Sequence, residues 1–187
     1  MGRPNDELEE LIRRKVENLF ATRQLQCAEA VLCVLNRGFG GELTDALAVR
    51  LASGFPEGLG NSGCLCGALS GAVLAMGLFL GRSGPGLGNG HLVKQAVAEL
   101  QQTFKARYKS TCCRILTRNL DYGSQAHFRH CARVSGEAAQ IATHILLQVK
   151  TDLTDTVDWT YLGHSDSGLG AGFKILSGTW RCANGSQ

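Results

Sequence analysis

Apolar residues recur at helical spacing along most of the chain. Leu8, Leu11, Ile12, Val16, Leu19 and Phe20 predict a first helix, capped at Asn5 or Asp6. Its acids, Asp6, Glu7, Glu9 and Glu10, precede its bases, Arg13, Arg14 and Lys15, in the order that the helix dipole favours. Glu9 with Arg13 and Glu10 with Arg14 are expected as supporting pairs four residues apart. A second helix is predicted from about Leu25 to Leu35, with Cys27, Val31 and Val34 on one face and Asn36 and Gly38 as its stop. A short third helix is capped at Thr44 and ends at Gly54. Leu92, Val93, Ala96, Val97, Leu100 and Phe104 predict a helix from near His91 to Tyr108. Phe128, Cys131, Val134, Ala138, Ile141, Ile145 and Val149 predict a last long helix from Ser124 to Val149.

One stretch breaks the alternation. From Gly58 to Gly81 there is no charged residue. The run is too rich in glycine to span a bilayer comfortably, which takes ~20 mostly apolar residues. It predicts a buried helix from Cys66 to Leu80. Gly63, Gly67, Gly71 and Ala75 recur every fourth place and form a smooth stripe on which another helix can lie close. The expected fold is all-α: a single bundle of about six helices over residues 1–150, wrapped around this central Gly/Ala-rich helix. Residues 151–187, which hold both Trp159 and Trp180, are expected to form an irregular tail with a short strand near Phe173 to Leu176. Asp152, Asp155 and Asp158 do not match an EF-hand loop.

Composition narrows the chemistry. A chain of 187 residues has room for one domain with a real core, and a net charge of +3 is too small to imply nucleic acid. Residues 1–20 are strongly charged and carry no apolar signal core, so a cytoplasmic protein is expected. In that compartment eight cysteines suggest metal ligands or redox groups rather than a disulfide framework. Cys66 stands at a helix start, where free N–H groups favour a thiolate or a thiolate-bound metal. Cys27 and Cys33 lie about 120° apart around their helix and do not share a site. Cys131 points inward, with His127 one turn before it. His91, His130 and His144 are read as ordinary polar positions, and Cys182 as a free thiol. Cys112 and Cys113 lie in a basic stretch, Lys105 to Arg118, that contains no acid. The loop from Phe55 to Gly63 lacks the phosphate-loop pattern, and Gly84 to Gly90 lacks the dinucleotide spacing, so no nucleotide is expected.

Four segments line up with a known pattern: Cys27-Ala28-Glu29-Ala30-Val31-Leu32, Cys66-Gly67-Ala68-Leu69-Ser70-Gly71, Ser110-Thr111-Cys112-Cys113-Arg114-Ile115-Leu116, and the Cys131 helix. Over residues 8–149 the chain resembles the C-GCAxxG-C-C family of redox-active proteins. The resemblance implies a small helical protein whose characteristic cysteines are Cys27, Cys66, Cys113 and Cys131, with Cys33, Cys64, Cys112 and Cys182 outside the pattern. That family is similar in turn to the cluster-bearing part of split-Soret cytochromes, which implies an iron–sulfur cluster on the four thiolates. No C-x-x-C-H is present, so no covalent haem is expected. The spacings of 39, 47 and 18 residues are not those of zinc fingers or common ferredoxins.

The expected function is electron transfer or redox chemistry at this four-cysteine site, with another redox protein as partner and a homodimer left open. Two alternatives stand beside it. One is metal-free thiol–disulfide chemistry through Cys64 with Cys66 or Cys112 with Cys113. The other is a non-catalytic interaction module, suggested by the lack of any acid–base pair or nucleophile triad.

Overall fold

The computed structural model describes residues 4–88 and 90–167. Its elements are α1 (Pro4–Ala21), α2 (Cys27–Gly38), α3 (Asp45–Ala52), the single turn α4 (Pro56–Leu59), α5 (Gly67–Leu80), α6 (Gly90–Tyr108), the single turn α7 (Cys113–Leu116), α8 (Gln125–Val149), a 3-10 turn (Thr151–Thr156) and α9 (Trp159–Gly163). Among the described residues there is no strand, only an isolated bridge between Gly84 and Leu87. The strand expected near Phe173 to Leu176, Trp180 and Cys182 lie outside the described residues.

The caps form where the side chains allow it. The Thr44 side chain accepts from the Leu47 N–H at 3.3 Å, and the Ser124 side chain from the His127 N–H at 3.1 Å. At α2 the cap is Gln26 and the helix opens at Cys27, two residues past the expected start at Leu25. The buried Glu29 carboxylate accepts from the Gln26 N–H at 2.8 Å, closing a capping box. On α1, Glu10 pairs with Arg14 as expected, but Arg13 is held by Glu10 and Glu17, not by Glu9. Glu9 faces α8 instead and meets His144 at 2.8 Å.

The centre of the bundle is α2 rather than α5. Every residue from Ala28 to Asn36 is buried, and α2 touches α1, α3, α5, α8 and α9. Helix α5 buries Gly67 to Ala72, Ala75, Met76 and Leu80, but Val73, Leu74, Leu78 and Phe79 are half-buried and Gly77 is exposed. The reason lies in α5 itself. It is apolar all round, so its pattern marks burial without marking a face, whereas α2 is closed in on every side by its neighbours.

The small-residue stripe does bring a helix close, and that helix is α2. A Cβ on Gly71 would stand 2.5 Å from the Ala28 carbonyl oxygen. Helices α1 and α8 pack along one another, and α6 covers α5 and α8 with Ala96, Leu100 and Phe104. Val149, expected on the core face, is 38% exposed.

The chain past Lys150 does not turn irregular at once. Leu153 and Leu162 are buried, the Asp158 N–H donates to the Gly38 carbonyl at 3.0 Å, and the Thr156 hydroxyl donates to the Phe39 carbonyl at 2.8 Å. The buried Lys15 ammonium donates to Asp166 at 2.6 Å and to the His164 carbonyl at 2.9 Å. These contacts join residues up to Asp166 to α1 and α2. No helix among the described residues is long and apolar enough to cross a membrane.

Candidate functional site

Four cysteines reach one region from four helices. Cys66 is the N-cap of α5 and is buried. The backbone N–H groups of Leu69 and Ala68 lie toward its sulfur and favour its thiolate, although neither closes a full capping hydrogen bond. Cys27 opens α2, and the N–H groups of Glu57 and Ala28 favour its thiolate in the same way. Gly67 sets the two cysteines side by side, since a Cβ there would run into the Cys27 sulfur. Cys113 opens α7 and Cys131 lies in the second turn of α8; both are half-buried. Cys131 feels the charge of Cys113, Cys27 and Cys66, and Cys66 feels that of Cys27 and Cys113.

Cys27, Cys113 and Cys131 line a cavity of about 790 Å³. Cys66 is not on its wall; it sits behind Cys27, next to Gly67. Glu57, Tyr122, His127, Phe128, Arg23 and Arg114 complete much of the lining. Tyr122 donates its hydroxyl to Glu57, and the His127 Nδ1 accepts from the Gly123 N–H at 3.2 Å. The Arg23 guanidinium lies 4.4 Å from the centre of the Phe128 ring. Five consecutive residues, Glu57 to Asn61, have positive φ, so the rim before Cys64 is a left-handed turn that a well-packed surrounding must hold.

Burial controls the protonation of these thiols. It pushes Cys27 up to about 11, Cys66 and Cys131 to about 12, and Cys113 upward as well, from an ordinary value of 9.0. At neutral pH the thiols therefore hold their protons and are not activated nucleophiles.

A fifth and a sixth cysteine sit beside the cavity in another form. Cys64 and Cys112 are joined by a disulfide, with Cα atoms 4.4 Å apart. This corrects the pairing expected from adjacency, Cys64 with Cys66 or Cys112 with Cys113. Cys66 caps α5 and Cys113 opens α7, so each turns away from its chain neighbour. The partner of Cys64 is found 48 residues away because two loops are laced together. The Cys66 N–H donates to the Thr111 carbonyl at 2.8 Å, the Arg114 N–H to the Gly63 carbonyl at 3.0 Å, and the Arg114 side chain to the Ser62 carbonyl at 2.8 Å. Cys33 is buried in the core and is not on the cavity wall.

The family model described as "Putative redox-active protein (C_GCAxxG_C_C)" matches residues 25–145. The chain belongs to this family. No curated protein and no solved structure matches it. The C_GCAxxG_C_C match opens just before Cys27 and closes after Cys131, so the cavity cysteines and the disulfide all lie inside it.

Sequence reasoning did not find Arg23, Glu57 or Tyr122. Arg23 and Tyr122 stand between helices and Glu57 in the single turn α4, where periodicity is silent. The basic stretch was also less isolated than its sequence suggests: Arg107 meets Glu137 of α8 at 3.0 Å. Among the described residues no three His, Cys, Asp or Glu side chains are drawn up to hold a metal ion.

Proposed function

We propose that Cys27, Cys66, Cys113 and Cys131 form the redox centre of this C_GCAxxG_C_C protein, and that the centre holds an iron–sulfur cluster exchanging electrons with a partner protein. The observation that carries the reading is the convergence of four thiols from α2, α5, α7 and α8, with Cys27, Cys113 and Cys131 on the cavity wall and Cys66 behind Cys27. The donor set fits the group: thiolates are soft ligands that suit iron–sulfur centres.

When bound, the cluster supplies one-electron chemistry; the chain supplies the setting. The N–H groups of Ala68 and Leu69 at Cys66, and of Ala28 and Glu57 at Cys27, stabilise thiolate charge and raise the reduction potential. Arg23 and Arg114 at the cavity wall offset negative charge, and neither is paired with a carboxylate among the described residues.

The test is anaerobic purification with reconstitution by iron and sulfide, followed by visible absorption and iron and sulfide analysis. The expected result is a coloured protein that binds iron and sulfide together. Cys→Ser changes at Cys27, Cys66, Cys113 and Cys131 should each abolish the colour. A colourless, iron-free protein after reconstitution refutes the reading.

A further inference from the structure

We infer that the groove between α1 and α8 is a binding site for the phosphate group of a small organic phosphate. The site does not depend on what the cysteine cavity holds. Its volume is about 660 Å³, and five arginines line it: Arg13, Arg14, Arg23, Arg129 and Arg133. Among the described residues, Glu17 is the only acid on its wall and no lysine stands there.

Charge decides the class of ligand. Glu10 takes Arg13 at 2.6 Å and Arg14 at 2.7 Å, and Glu17 takes Arg13 from the other side. Arg23, Arg129 and Arg133 meet no carboxylate among the described residues. Five guanidinium groups against two carboxylates leave an excess of three positive charges, as large as that of the whole chain. A monocarboxylate would leave most of this excess unmet. A phosphate ester brings a charge of about −1.5 to −2, on oxygens to which a guanidinium fork donates in pairs.

A solvated basic face is built differently. It gains by setting acids four residues from bases along a helix. Here Arg129 and Arg133 stand four residues from each other and repel. Glu137, one turn past Arg133, is taken up by Arg107 at 3.0 Å and by the Tyr108 hydroxyl at 2.7 Å on α6. A bound anion would relieve the repulsion that α8 otherwise bears.

Two of the arginines are set in place beforehand. Arg23 has a φ of 58°, and its N–H donates to the Phe20 carbonyl at 2.9 Å. Its guanidinium lies 4.4 Å from the centre of the Phe128 ring, a contact that leaves its N–H fork in place to donate. The Arg129 side chain donates to the Gln125 side-chain oxygen at 3.2 Å. Size favours a small molecule over a polymer, since pockets for such ligands run from ~300 to ~1,000 Å³. Arg23 and Phe128 also line the cysteine cavity, so the two sites share a wall.

The test is calorimetric titration of the full-length protein with pyrophosphate, inorganic phosphate and acetate at physiological ionic strength. The expected result is saturable binding of one pyrophosphate per chain, weaker binding of phosphate and none of acetate. Arg129→Gln and Arg133→Gln, both at exposed positions, should each weaken pyrophosphate binding roughly tenfold or more. Arg50→Gln removes the same charge from an exposed position on α3, outside the groove, and should change nothing. Equal weakening by all three variants would mean diffuse attraction and overturn the site. So would wild-type protein that pyrophosphate does not saturate at millimolar concentration. A protein that binds only single-stranded DNA or phosphatidylglycerol vesicles overturns the assignment to a small molecule.

Discussion

Helix α5 carries two glycines in which the same substitution should have opposite effects. Gly71 faces α2, and a Cβ there would stand 2.5 Å from the Ala28 carbonyl oxygen and 3.0 Å from its Cα. Both obstacles are backbone, so no side-chain rotation relieves them. Ordinary contact begins at 3.4 Å, so α2 would have to retreat by about 0.9 Å along its most enclosed segment. Overpacking of this kind costs about 1–3 kcal/mol, and the rigid obstacle puts Gly71→Ala at the upper end. Higher helix propensity returns about 1 kcal/mol, leaving a net destabilisation of ~1–2 kcal/mol. Gly77 lies on the exposed side with nothing within 4 Å of its added Cβ, so Gly77→Ala keeps the propensity gain of ~0.5–1 kcal/mol. For a chain of this size each kcal/mol moves Tm by about 2–4 °C. Thermal unfolding of the metal-free protein, followed by far-UV circular dichroism, should show Gly71→Ala melting roughly 2–8 °C lower and Gly77→Ala roughly 1–4 °C higher. A Gly71→Ala protein as stable as wild type would refute the placement of α2 on the small-residue stripe.

Further outcomes follow from the same geometry. Cys33→Ser buries a hydroxyl in the core, where Cys33 is 3% exposed; it should lower the urea midpoint by the equivalent of ~1–3 kcal/mol while leaving iron content unchanged. Burial raises the folded-state values of Cys27, Cys66 and Cys131, so above pH 9 the unfolded chain loses their protons first. The metal-free, reduced protein should therefore hold its stability below about pH 9 and lose it progressively toward pH 12, read as a falling urea midpoint. Asp166→Ala leaves the buried Lys15 ammonium without a carboxylate, held by the His164 carbonyl and the face of the Tyr161 ring, and should cost about 2–4 kcal/mol in chemical denaturation. Adding Lys15→Met should recover most of the loss.

Much of the helical framework was legible because its signals are local. Thr44 and Ser124 cap their helices with the side chains that their positions suggested, and the 3.6-residue pattern marked α1, α2, α6 and α8. The single turns at Pro56–Leu59 and Cys113–Leu116 are shorter than any period that could reveal them. The same limit applied to Arg23, Glu57 and Tyr122, which only the folding of separate turns onto one cavity brings together.

What lies beyond local signals was decided by packing. The charge-free run announced that α5 is buried, but a helix apolar on every side does not say which neighbour encloses it, and α2 proved the more central. Lys15 reads as a surface base of α1 until the chain returns at His164 and Asp166 to cover it. The cysteines show the division most plainly. Sequence placed Cys66 at a helix start and Cys131 on an inward face, because capping and periodicity act within a few residues; that Cys27 and Cys113 also open helices came from the structure. Sequence did not determine that Cys64 joins Cys112, because that bond depends on two loops 48 residues apart being laid side by side by the helices around them.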